Sequence, residues 1–293
     1  GEPYRVEFDF PGLGGKVTFL RTTEAAAKAP VTKPLQLFNV QAIWLDRRIP
    51  LAHEKGDMVA FKVSAPREDD PATLFPTDGR QEVKNADAAA KTFELHVWAT
   101  RGPAKGGKAD PAPGPEFLGS SFFINWDNEP VKAHAAKAGA GLPATAGAWE
   151  KARAVERWVN QNMKSQEFTQ AMATADNVAR TLSGDCTEYA MLAAAMCRAV
   201  GVPSRTVLGL VYDDDRQGRP FLAYHMWLEV YAEGRWLPMD PMFAQRLGYN
   251  GVGPGHIKIA DHSWHEERSF APLLPVLRVL NAKPTFQVLR ATP

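Results

Sequence analysis

The segment running from Ser183 to Pro203 restricts the folds open to this chain more than any other. It reads Ser183-Gly184-Asp185-Cys186-Thr187-Glu188-Tyr189-Ala190, continues Met191-Leu192-Ala193-Ala194-Ala195-Met196-Cys197-Arg198-Ala199-Val200, and ends Gly201-Val202-Pro203. Asp185 stands where a helix N-cap belongs, and Glu188, three residues on, can return the bond as in a capping box. Cys186 is then the first helical residue, and Gly201 with Pro203 behind it stops the helix. The body between these signals is apolar nearly all round, so the helix needs cover on every side. The rest of the chain must therefore supply layers around one central helix.

The two cysteines of the chain both fall on this helix. Unsatisfied N–H groups and the helix dipole at the N-terminus favour negative charge, which predicts a lowered thiol pKa at Cys186 and donors for an oxyanion. Cys197 lies eleven residues later, about 16 Å along the axis at ~1.5 Å per residue, too far to form a disulfide while both are helical. We read Cys197 as packing and Cys186 as a candidate nucleophile.

A nucleophilic thiol needs a base, and the base needs an orienting partner. Residues 205–212 read as a strand, 213–218 as a polar turn, 221–231 as a second strand and 235–240 as a third, with a tight turn at Glu233-Gly234. His225 shares a face of the second strand with Trp227, Glu229 and Tyr231. A two-residue turn pairs Ala232 with Arg235 and so places Asp240 opposite Trp227, diagonal to His225 and on its face. That separation is within reach of a His–carboxylate hydrogen bond.

Gly184-Asp185-Cys186-Thr187-Glu188-Tyr189, Gly201-Val202-Pro203-Ser204-Arg205, Tyr224-His225-Met226-Trp227 and Gly234-Arg235-Trp236-Leu237-Pro238-Met239-Asp240-Pro241 together resemble the transglutaminase-like (papain-related) superfamily, nearest to its bacterial, exported members. The resemblance spans about residues 148–245. It implies an α+β core with the Cys helix packed on an antiparallel sheet. Carried over, it makes Cys186 the nucleophile, His225 the general base and acid, and Asp240 the orienting carboxylate. Arg180 stands where papain-type enzymes place an oxyanion-stabilising Gln, and Trp158, Gln161, Gln166 and Gln170 are candidate replacements.

Upstream, residues 4–10, 16–21, 35–45, 58–64, 92–99 and 116–125 read as strands separated by turn-rich stretches. Gly12, Gly14 and Gly15 suit a turn between strands rather than a phosphate loop. The expected division is a β-rich N-terminal domain of unassigned role at 1–130, a linker at 131–147 and the catalytic domain with a C-terminal extension at 148–293. Residues 133–148 read as linker or weak helix, 149–163 and 174–182 as helices, and 271–289 as closing strands. His256, His262 and His265 with Asp261, Glu266 and Glu267 lack metal-ligand spacing and read as a polar surface or cleft loop.

Lys and Arg total 34 against 33 Asp and Glu, a net charge of +1. Such a balance argues against nucleic acid as the main partner, and no apolar run approaches the ~20 residues of a membrane helix. No cofactor or metal is implied. The start Gly1-Glu2-Pro3-Tyr4 looks like an engineered one, with Gly1 left by tag removal. The expectation is a natural protein exported behind a signal peptide. The expected activity is hydrolysis of amide bonds in a peptide or protein through a thioester. Protein cross-linking by amine transfer, or a non-catalytic binding module keeping the fold, are the alternatives.

Overall fold

The computed structural model describes residues 5–10, 15–21, 23, 42–50, 56–103, 109–166, 172–268 and 271–292. The N-terminal strands β1 (Arg5–Phe10) and β2 (Gly15–Leu20) form an antiparallel hairpin in which Phe10 pairs with Gly15. The loop at 11–14 between them, with Gly12 and Gly14, lies outside the described residues, as does most of the strand expected at 35–45. From that segment, β3 (Ile43–Trp44) is described.

The architecture is α+β and rests on two antiparallel sheets. One is built from β4 (Met58–Ser64), β5 (Gln81–Asp87), β6 (Thr92–Trp98) and β13 (Thr285–Thr292), in the order β13-β4-β6-β5. The other is built from β9 (Ser204–Asp214), β10 (Pro220–Ala232), β11 (Arg235–Met239) and β12 (His256–His262), in the order β11-β10-β9-β12, with β3 on the start of β10. A short parallel pair, β7 (Lys164–Ser165) and β8 (Ser183–Gly184), stands apart from both and leads into the Cys helix. The final strand returns to pair with β4 in the N-terminal sheet.

Five α-helices are described: α1 (Glu129–Gly139), α2 (Ala148–Asn162), α3 (Ala175–Thr181), α4 (Cys186–Ala199) and α5 (Leu274–Ala282). Helix α4 is the centre. Ala190 to Cys197 are all buried, as an apolar body demands, with α1, α2 and α3 on its sides and β9 and β10 beneath. One face of the second sheet is covered by two partners in turn. Leu208, Met226, Leu228 and Val230 pack with the helices, while Leu210, Tyr212, Leu222 and Ile257 pack with Phe61, Val63, Leu95 and Phe286 of the first sheet. The opposite face carries His225, Trp227, Glu229, His256 and Lys258, all buried. Burying so many polar groups on one sheet face is costly unless they are paired.

Four expectations are corrected. Residues 116–125 are not a strand: a short 3₁₀ turn at Pro115–Phe117 is followed by bends, held by Ser121 Oγ accepting from Ile124 N and Trp126 Nε1 donating to Leu118 O. The apolar Phe123-Ile124 pair is instead a plug in the helical core. The first part of the expected linker, as far as Gly139, belongs to helix α1, because Val131 and Ala135, four apart, both face that core, and only 140–147 remain as a connection. Residues 271–289 contribute a helix as well as a strand. His256 to His262 form β12 against β9 rather than a surface loop.

Candidate functional site

Local sequence sets each part of the site. Asp185 Oδ1 accepts from Thr187 N at 2.9 Å and Glu188 Oε2 accepts from Asp185 N at 3.1 Å, completing the capping box. Gly184 precedes it at φ +156°, and a Cβ there would lie 2.4 Å from Glu188 Cβ, so the close approach requires glycine. The hairpin register is the one read from the sequence: Ala232 pairs with Arg235 and Leu228 with Met239. Its turn residues Glu233 and Gly234 both have positive φ (51° and 76°), the backbone of a type I′ turn.

His225 Nε2 lies 2.8 Å from Asp240 Oδ2, and both side chains are buried. The other carboxylate oxygen, Oδ1, accepts from Met242 N at 3.0 Å and Phe243 N at 3.2 Å, so Asp240 caps the turn that it opens. Asn160 of α2 fixes the same turn by donating to Pro241 O at 2.9 Å. The Phe243 ring stacks on His225 with centroids 4.8 Å apart and 14° between planes. The imidazole is thus held by a carboxylate at Nε2 and by a ring against its face.

Cys186 lies at the edge of this sheet, beside Met226. Tyr231 N donates to Pro203 O on the β9 side. N–H directions alternate along a strand, so Met226 points its N–H the opposite way, past the point where β11 has ended. That N–H is near enough to the Cys186 sulfur to favour its thiolate. Thr187 Oγ1 lies 4.0 Å from Sγ.

The electrostatics correct one expectation. Burial, and then the Asp185 carboxylate, push the Cys186 thiol well above its ordinary range, outweighing the Met226 and Thr187 donors. The thiol is 2% exposed, so desolvation dominates the helix dipole. Burial also drives the Asp240 carboxyl up, but His225 and His256 outweigh it and hold it well below the carboxylate range. Glu156 of α2, buried beside Asp240, is raised to about 8 by burial and then by the Asp240 charge. Glu188 is raised to about 8 by burial and by Asp185. Burial holds Cys197, packed in the helical core, well above the ordinary thiol range.

Among the proposed oxyanion residues, Gln166 is brought beside the Cys loop, its N–H donating to Gly184 O at 3.0 Å. Trp158 lies tilted against the His134 ring, Gln161 is exposed on α2, and Gln170 lies outside the described residues. Arg180 pairs with Asp176.

Sequence reasoning missed His256. Its Nε2 lies 3.0 Å from the same Asp240 Oδ2 that His225 engages, and it is fully buried. The signal available was its parity with Lys258 on a strand, obscured by the glycine-rich approach at 248–255. His225, Asp240 and His256 present nitrogen and oxygen atoms within 4.8 Å of one another. They could coordinate an ion only by giving up both hydrogen bonds to Oδ2.

Beyond His256 on the same face, Lys258 Nζ contacts Glu229 at 2.7 Å and Asp78 at 2.8 Å, and Arg205 contacts Glu229 at 2.6 Å and Asp261 at 3.0 Å. Asp78, Arg205, Glu229 and Lys258 border a cleft of about 770 Å³ that Arg101, Asp110, Phe117 and Trp236 also line. Neither Cys186 nor His225 lines it.

Residues 134–241 match the family model described as the transglutaminase-like superfamily, from within α1 to the proline after Asp240. Among solved structures, the chain is similar to a candidate cysteine protease from Cytophaga hutchinsonii (14% identity, TM-score 0.46, covering 82% of this chain and 89% of that one). It is also similar to the periplasmic domain of TgpA from Pseudomonas aeruginosa (18%, 0.42, 71% and 78%) and to red sea bream transglutaminase (11%, 0.32, 67% and 46%). No curated protein gives a significant match.

Proposed function

We propose, starting from a chain whose residues 134–241 are a transglutaminase-like superfamily domain, that it is a thiol acyl-transfer enzyme that hydrolyses amide bonds of peptides or proteins. Cys186 is the nucleophile, His225 the general base and acid, and Asp240 the orienting carboxylate. The observation that carries this reading is the His225 Nε2–Asp240 Oδ2 contact of 2.8 Å on the strand whose next residue, Met226, has its N–H near enough to Cys186 to favour the thiolate.

In the reaction, the Cys186 proton passes to His225 Nδ1 as sulfur attacks the amide carbonyl and the C–S bond forms. The oxyanion is received by backbone N–H at the start of α4. The C–N bond breaks as His225 returns the proton to the departing amine, leaving a thioester. His225 then takes a proton from water, hydroxide attacks the thioester, and the thiol is restored with release of the acid. A lysine amine in place of that water would give cross-linking. Because the thiol is raised and covered, nucleophile formation depends on His225 as acceptor and on opening of the surface over Cys186.

The same burial favours a second reading, a binding or assembly module that keeps the fold without turnover. Incubation with denatured casein and a labelled primary amine separates the outcomes. New peptide termini that disappear in Cys186→Ala support the hydrolase, label incorporation supports amine transfer, and neither product supports the binding module. The proposed division at 1–130, 131–147 and 148–293 goes with this reading, with limited proteolysis as its test. An exported location goes with it too, and the reading frame upstream of Gly1 tests that.

A further inference from the structure

Asp240 Oδ2 receives two imidazoles, and the proposed reaction uses one of them. His256 sits on β12, across β9 from His225, with Nε2 at 3.0 Å from that oxygen. Its ring is buried, and the edge of the Trp227 indole meets it at 5.3 Å and 87°. Its backbone carbonyl accepts from Arg80 Nη2 at 3.1 Å, and the same nitrogen donates to Gly253 O at 3.1 Å. Nδ1 of His256 is buried without a hydrogen-bond partner.

These facts fix one tautomer. A hydrogen bond to a carboxylate requires the proton on Nε2, which leaves a lone pair on the unpartnered Nδ1. Protonating Nδ1 would bury an unsatisfied donor and a second positive charge beside His225 and Arg80. The charged and titratable groups facing His256 are Asp240, His225 and Arg80, with Glu156 on the far side of Asp240. Burial lowers His256 to about 4 although Asp240 pulls it upward, so the ring stays neutral near pH 7.

We propose that His256 is a positioning residue: a permanently neutral imidazole that donates to Asp240 Oδ2, fixes that carboxylate, and limits how strongly it binds the proton-carrying ring of His225. This rests on the reading of Cys186, His225 and Asp240 as the reacting triad. A carboxylate that already accepts one hydrogen bond is a weaker partner for a second cation. Asp240 then orients His225 as a group that takes a proton from a thiol and returns it to an amine.

The test is an NMR titration of the histidine rings in the intact protein and in two variants. In the wild type, His256 ring ¹⁵N shifts are expected to report the neutral Nε2–H tautomer from pH 5.5 to 8. A proton on Nδ1, or protonation near the ordinary value of 6.5, would overturn the proposal. In His256→Phe, which removes the donor, the proton that His225 Nε2 shares with Asp240 Oδ2 is expected to move downfield, because the carboxylate then accepts one hydrogen bond fewer. In His256→Gln, whose amide can restore the donor, it is expected to stay near the wild-type position. An unchanged resonance in the Phe variant, or an equal displacement in both, would contradict the role. If the Phe variant does not fold, the wild-type tautomer decides. None of these readouts needs a substrate, so loss of the acyl-transfer reading through absent turnover is distinguishable from failure here.

Discussion

Gly209 of β9 stands under the Trp227 indole: a Cβ at that position would lie 2.4 Å from Trp227 Cη2 and 2.1 Å from Ile257 O. The same glycine pairs with His225 across the ladder. The indole can cross β9 to reach His256 only because residue 209 has no side chain. Gly209→Ala is expected to cost on the order of 2 kcal/mol or more through overpacking against backbone. It should also lower any turnover by displacing Trp227 from His256. Urea unfolding midpoints and near-ultraviolet circular dichroism check this, and a variant as stable as wild type would refute the packing argument.

Asp240→Asn keeps the shape of the turn but exchanges one carboxylate oxygen for an amide. On the scale known for orienting carboxylates, turnover is expected to fall by roughly two to four orders of magnitude. Stability should fall as well, because Asp240 accepts from two histidines and two backbone amides. Steady-state kinetics on a cleaved peptide measure the first effect and thermal unfolding the second.

Glu156 makes a prediction of opposite sign. Its folded pKa of about 8 lies above the ordinary 4.5, so the protonated form is favoured in the native state. Its contribution is complete below about 4.5 and is lost as pH rises through about 8. Glu156→Gln is expected to flatten the decline of stability across that window, leaving the variant more stable than wild type at pH 8. Chemical denaturation at pH 5 and pH 8 reads the difference.

His256 acts at the acid end. Its folded value of about 4 lies below the ordinary 6.5, so its contribution is present above 6.5 and is lost as pH falls through 4. His256→Gln, which cannot titrate, is expected to lose less stability between pH 6.5 and pH 4 than wild type does. The same denaturation series, extended to pH 4, checks it.

The site was legible where chemistry is local. Asp185 and Glu188 sit three residues apart, so a capping box announces the helix and its first residue, Cys186. Glu233-Gly234 fixes the hairpin, and parity then carries Asp240 to the face of His225. His256 was illegible because its partner is sixteen residues away across a glycine-rich stretch, and no local pattern links them. β5 was missed because an edge strand such as Gln81–Asp87 buries little and shows no apolar alternation. The Phe122-Phe123-Ile124 run misled in the other direction, since an apolar run records burial without recording backbone shape. The thiol pKa was misjudged for a related reason: the helix dipole can be read from position, whereas desolvation depends on everything that packs around it.

Cys186 is held to become nucleophilic by giving its proton to His225. The most direct measurement of this is the pH dependence of iodoacetamide alkylation at Cys186, followed by mass spectrometry, in wild type and in His225→Ala. Alkylation of Cys186 is expected to be faster in the wild type than in His225→Ala across the pH range, although burial raises the thiol in both, while Cys197 stays unlabelled. Alkylation that proceeds equally in the two proteins would contradict it.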